Sequence, residues 1–193
     1  GVVGVAIGTA LLPILSRQLK SGEHSNALIT QSRAIEFALF LTFPAATALL
    51  ILSSPIVSVL FQRGAFDLTA VNATSGALVI YATGLPAYIL VKILTPGFFA
   101  RDDTRTPVKI ASFALLTNLV LNVIFMGPFQ HLGIAAATSI STWGNALALA
   151  FVLKTRGYLK LDKRSRIRIQ KAFLMAVIMG LILALCYQQS IHL

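Results

Sequence analysis

The sequence is short of charge. Only 11% of its 193 residues are Asp, Glu, Lys or Arg, less than half the roughly 25% usual in soluble domains. Acidic groups are scarcest, six against sixteen Lys and Arg. With 56% hydrophobic residues and a mean hydropathy of +0.82, this deficit moves the chain from the soluble to the membrane class. The single cysteine, Cys186, excludes an intramolecular disulfide and reads as a small apolar helix residue. There is no Gly-rich phosphate loop, no nucleophile elbow and no carboxylate pair at helical spacing, so no enzyme is expected. His24, His131 and His192 lie far apart, without the spacing of metal ligands, and neither a metal nor a cofactor is expected. The apolar stretches do not alternate with polar residues as barrel strands do. The chain opens on Gly1-Val2-Val3 inside an apolar run, with no basic leader, as a piece of a longer protein would.

What is present is a set of long uncharged runs. Backbone groups in hydrocarbon must be satisfied within their own segment, which selects helices of about 20 residues. Residues 1–16 end at Arg17 and Lys20 and read as part of a span. Residues 37–62 and 68–91 carry no charge, and the second run continues past Lys92 to Ala100. Residues 110–153 are uncharged for 44 positions, too long for one crossing, and the turn-forming stretch 127–133 divides them. Residues 172–193 supply the last run. The reading is all-α: a polytopic transmembrane helical bundle in a single membrane domain over 1–193. It has one partial span plus five, at about 1–16, 36–60, 69–99, 107–126, 133–153 and 172–193.

Lys and Arg then set the orientation. The connections on one side hold fourteen of them, from Arg17 to Lys171, whereas the other side holds Arg63 alone. That asymmetry places the first side in the cytoplasm. The run 160–171 reads as a cytoplasmic connection against anionic headgroups, not as a nucleic-acid patch.

Several residues interrupt the apolar spans. Pro44, Gly84 and Pro86 predict bends, which are common in helices lining a transport cavity. Lys92 sits within a span; it either snorkels toward Arg101 or lines a cavity. Asn118 and Asn122 share one helix face. They fit an interhelical hydrogen bond or the oxygen ligands of a small cation, with Thr138 opposite across the turn. Glu36 follows Arg33 by three residues, the spacing of a local ion pair. Asp102 and Asp103 are expected to balance Arg101 and Arg105 in one turn.

Three stretches carry a resemblance: Gly4–Pro13 followed by Ser16-Arg17, the turn Leu60–Asp67, and Pro96-Gly97-Phe98-Phe99-Ala100-Arg101-Asp102-Asp103-Thr104-Arg105-Thr106-Pro107-Val108-Lys109. They resemble the end of the eighth helix, the LF-x-RG-x-F turn and the PGF-[YF]-[AS]-R-x-D-T-x-TP-V-K segment of the MurJ/MviN family. That family belongs to a multidrug/oligosaccharidyl-lipid/polysaccharide exporter superfamily. Pro96, Gly97, Arg101, Asp103, Thr104, Thr106 and Pro107 are the motif residues. The resemblance implies a two-lobed fold of about fourteen helices, of which this chain would run from the eighth through the thirteenth. It implies transport of lipid II, the undecaprenyl-pyrophosphate-linked cell-wall precursor, across the bacterial inner membrane. Lipid II and membrane lipids are then the partners, nucleic acid is not, and the oligomeric state is open. Lys92, Arg63, Arg33 and Glu36 become candidate substrate contacts, and Asn118, Asn122 and Thr138 candidate ion ligands. The cavity arginines of the family belong to its first, second and early eighth helices, outside this sequence, so a chain of this extent is expected not to flip lipid alone. Rival readings are a drug/cation antiporter or polysaccharide-lipid exporter of the same superfamily, or a non-transporting membrane scaffold.

Overall fold

The computed structural model describes residues 2–64 and 66–191. Gly1, Ala65, His192 and Leu193, which fall in the first span, the 60–67 turn and the last span, lie outside the described residues. Among the described residues six helices follow one another: α1 (Val2–Lys20), α2 (His24–Ile51), α3 (Ser53–Phe61), α4 (Leu68–Phe99), α5 (Arg105–Thr155) and α6 (Lys163–Ile191). No strand occurs among the described residues. Among the described residues four helices are long and apolar enough to cross a membrane: α2, α4, α5, and α6 over Lys163–Gln189.

The helices overrun the expected spans. α2 begins at His24, so Arg33 and Glu36 lie inside a helix and not at its start. Beyond Ile51 the same direction continues into α3. Pro55 has no N–H and its ring presses on the Ile51 carbonyl, which breaks the ladder at Leu52. Leu52 still donates to the Ala48 carbonyl (2.8 Å), and Ile56 to that of Leu52 (3.0 Å).

The 51 residues of α5 would extend about 76 Å if straight, more than twice the hydrocarbon thickness of about 30 Å. The helix instead reverses at Gln130 (φ 49°, ψ −127°). The reversal predicted over 127–133 is therefore concentrated at one residue, with Gly127 and Pro128 still helical. Two arms, 105–129 and 131–155, run back beside each other. Gly133 lies directly on the Phe125 carbonyl, an approach that a side chain would block.

Glycines fix the helix seams. A methyl at Gly8 would stand 2.7 Å from the Lys92 carbonyl oxygen. Pro96 offers that carbonyl no donor, so α1 packs where the α4 ladder lacks a rung. Gly4, one turn earlier, meets Ile89. At Gly84 a methyl would stand 2.8 Å from the Ser139 hydroxyl. Ser139 donates to the Ile80 carbonyl (2.9 Å), and Trp143 Nε1 to the Thr83 carbonyl (3.0 Å). The helix runs unbroken through Gly84 and Pro86, and this stretch forms a hydrogen-bonded joint to the second arm of α5.

These pairings define direction. α1 and α4 run parallel, as do α4 and the second arm, whereas α2 opposes α4 with Gln31 against Gly97. α6 runs parallel to α2, with Phe43 on Phe173 (5.5 Å between ring centroids) and Gly180 on Thr47. The connections 21–23, 100–104 and 156–162 therefore gather at one end, called the basic end below. The 62–67 turn and Gln130 lie at the other. The core of Leu11, Leu15, Ile35, Leu39, Ile93 and Phe98 sits toward the basic end. The first arm of α5 and the far face of α6 leave Phe113, Val123, Leu174 and Leu181 exposed. Such faces suit lipid or further helices.

Candidate functional site

At the basic end the 96–107 motif builds a clasp. Gly97 leaves room for the Gln31 amide, and its carbonyl accepts from Arg101 Nη1 (2.6 Å). Phe98 is fully buried. Asp102 takes a left-handed conformation (φ 57°), which Asp tolerates better than most residues. Asp103 caps α5 by accepting from the Thr106 N–H (3.0 Å). Thr104 precedes the helix, and Pro107 falls in its first turn, where no N–H is needed. Arg156 binds Asp103 (2.5 Å) and Thr106 Oγ1 (3.1 Å) and lies over the Phe98 ring (6.0 Å). Arg101 stacks on Tyr158 at 4.3 Å. The expected balance of Asp103 by Arg101 and Arg105 is thus corrected: its partner is Arg156, fifty-three residues on. Hydrogen bonds from the Thr106 hydroxyl and N–H, then from Arg156, hold the Asp103 carboxyl down at about 2.

The four candidate substrate contacts do not converge. Arg33 and Glu36 lie in a groove of about 390 Å³ between α2 and α6, with Phe37, Phe40, Arg168 and Lys171. Glu36 pairs with Arg168 (3.1 Å), which corrects the expected Arg33 pair. Helical spacing permitted Arg33, but α6 brings a guanidinium onto the carboxylate. Lys92 lines a separate groove of about 340 Å³ between α1 and α4, beside Gly8, Thr9 and Phe99. Its ammonium stands over the Tyr88 ring (5.4 Å), a turn farther from the basic end, so it does not snorkel toward Arg101. Arg63 lies at the opposite end, next to the α4 cap. There Asp67 accepts from Thr69 Oγ1 and the Ala70 N–H, and these bonds lower its pKa.

The asparagine pair does meet its predicted partner. Asn118 Nδ2 donates to Ser141 Oγ (3.1 Å) and, longer, to Thr138 Oγ1 (3.4 Å). Asn122 Nδ2 donates to Asn118 Oδ1 (3.0 Å). Asn122 Oδ1 is buried with no partner among the described residues. The cluster thus ties the two arms together and retains a spare carbonyl oxygen of the hard kind that small cations prefer.

Sequence reasoning missed Ser141, Arg156, Arg168 and Lys171 as partners. Thr138 and Ser141 are three apart on one helix face, a signal that was available. The other three depend on helix pairing. Gly4-x-x-x-Gly8 is a recognisable close-packing motif that also went unread.

Long apolar helices, polar groups between the arms of α5 and basic connections collected at one end define a multi-pass helical membrane protein. The chain belongs to the MurJ family: the model described as lipid II flippase MurJ matches residues 1–192. A probable lipid II flippase MurJ of Rhizobium tropici is 45% identical over 159 residues, covering 82% of this chain and 30% of that protein. One from Rhizobium meliloti (strain 1021) is 43% identical over 180 residues, covering 93% and 34%. A solved structure, lipid II flippase MurJ in an inward closed conformation, superposes with a TM-score of 0.74 at 27% identity, covering 100% of this chain and 44% of that one. The chain spans about a third of the length of the curated relatives it matches.

Proposed function

We propose that this chain is part of a transporter, not a catalyst, that carries lipid II from the inner to the outer leaflet of a bacterial inner membrane. The observation that supports the reading most is the family match along nearly the whole chain. The basic end then lies in the cytoplasm by the positive-inside rule.

The substrate chemistry agrees. A pyrophosphate and its sugars cannot enter hydrocarbon without partners, and a cation in a groove open to the membrane interior can hold the phosphate while the polyprenyl tail stays in lipid. Lys92 is the residue we assign to that contact, because its ammonium lies within α4 and away from the basic end. Asn118, Asn122 and Thr138 are assigned to a small cation whose binding alters how the two arms of α5 pack.

The test is rescue of cells depleted of their own lipid II flippase by the intact protein, read as lipid II reaching the outer leaflet. Rescue by the wild type, reduced by Lys92→Ala, is expected. No translocation by the wild type at normal membrane levels would overturn the reading.

A further inference from the structure

Two helices change character at the same level. On α2 the last charged residue is Glu36, and the uncharged run opens with Phe37; on α6 the last is Lys171, and the uncharged run opens with Ala172. Because the helices run parallel with Glu36 against Arg168, both transitions fall at one depth. The groove between them has a charged half, Arg33, Glu36, Arg168 and Lys171, and an apolar half that includes Phe37, Phe40 and Met175. Three cations face one carboxylate there, which leaves two positive charges unmatched. Glu36 is largely enclosed and held by Arg168, whose own side chain remains 52% exposed. Arg33 and Lys171 are exposed, and neither has a carboxylate partner among the described residues. Phe37, Phe40 and Met175 are each more than half exposed, at a depth where hydrocarbon begins.

We propose that this groove binds an anionic glycerophospholipid of the leaflet at the basic end, its phosphodiester held by Arg33, Arg168 and Lys171 and one acyl chain laid along Phe37, Phe40 and Met175. Arginine forks and a lysine point charge suit phosphate oxygens. Glu36 acts as a positioning residue that fixes the Arg168 guanidinium at the groove mouth. Apart from α2, no helix packs on α6 among the described residues, and a lipid seated here bridges that α2–α6 seam. The inference does not depend on the flippase reading, because the ligand is a bulk membrane component.

The experiment is native mass spectrometry of the intact protein released from mixed micelles of phosphatidylglycerol and phosphatidylcholine in equal amounts. The wild type should retain phosphatidylglycerol preferentially. Each of Arg33→Gln and Lys171→Gln should lower that retention about five-fold, the effect expected of one basic residue at an anionic surface, without changing phosphatidylcholine. Met175→Trp, an exposed position that alters no charge, should lower it by filling the apolar half. Lys160→Gln with Lys163→Gln, outside the groove, should leave it unchanged. An equal loss in this outside variant, or no loss in the groove variants, overturns the proposal. Displacement of the phosphatidylglycerol by equimolar polyprenyl diphosphate also overturns it, since the groove would then serve a diphosphate-bearing lipid.

Discussion

Two single residues carry more than their local sequence shows. Gln31 is fully buried with both amide atoms unpartnered among the described residues, and it faces Gly97. A buried amide without bonds costs about 1–3 kcal/mol, so Gln31→Leu is expected to raise the thermal midpoint in detergent. Gly97→Ala should lower stability by about 1–3 kcal/mol through overpacking. Gln31→Ala should recover part of that loss, and a double-mutant cycle on unfolding midpoints measures the coupling. Asp103 makes both the cap of α5 and the bridge to Arg156. Its folded pKa lies below the ordinary 3.8, at about 2, so its stabilisation is complete above the unfolded value and is lost as pH falls from about 4 toward 2. Asp103→Asn, which can still cap, should flatten that acid limb in a pH series of melting curves. Asp103→Ala should in addition cost about 1 kcal/mol at neutral pH for the lost cap.

At the level of elements, the fold depends on where helices are interrupted and where they touch. Gln130 holds a positive φ that a side chain disfavours, so Gln130→Gly is expected to stabilise the reversal of α5 by about 1 kcal/mol. Pro128→Ala, which restores an N–H to the first arm, should leave the reversal in place. Proteolysis and melting in detergent report both. The α1–α4 seam rests on Gly4 and Gly8. Gly8→Val should separate the helices and lower stability by about 1–3 kcal/mol, whereas Gly144→Ala, where a methyl meets nothing within 4 Å, should be tolerated. The asparagine cluster lies between the two arms of α5, so any cation it takes acts on that hairpin first.

Over the whole molecule, parallel and antiparallel helix pairings bring every strongly basic connection to one end. In a background of Cys186→Ser, single cysteines at Arg105 and Lys163 should therefore label from the same face of the membrane, and cysteines at Arg63 and Gln130 from the other. Labelling of Arg105 and Lys163 from opposite faces contradicts the fold. Much of this was legible in the sequence. Charge scarcity and run length specify membrane helices, because hydrocarbon leaves the backbone no other way to satisfy its hydrogen bonds. The placement of Lys and Arg specifies which connections share an end, and the Asn118–Asn122 spacing with Thr138 beyond the turn specifies a contact between neighbouring arms. What only the tertiary structure decided is which distant groups share an environment: Asp103 with Arg156, Glu36 with Arg168, and Gly8 with the Lys92 carbonyl. The physical reason is that periodicity along one helix states which residues share a face, whereas the neighbour opposite that face is chosen by the packing of other segments.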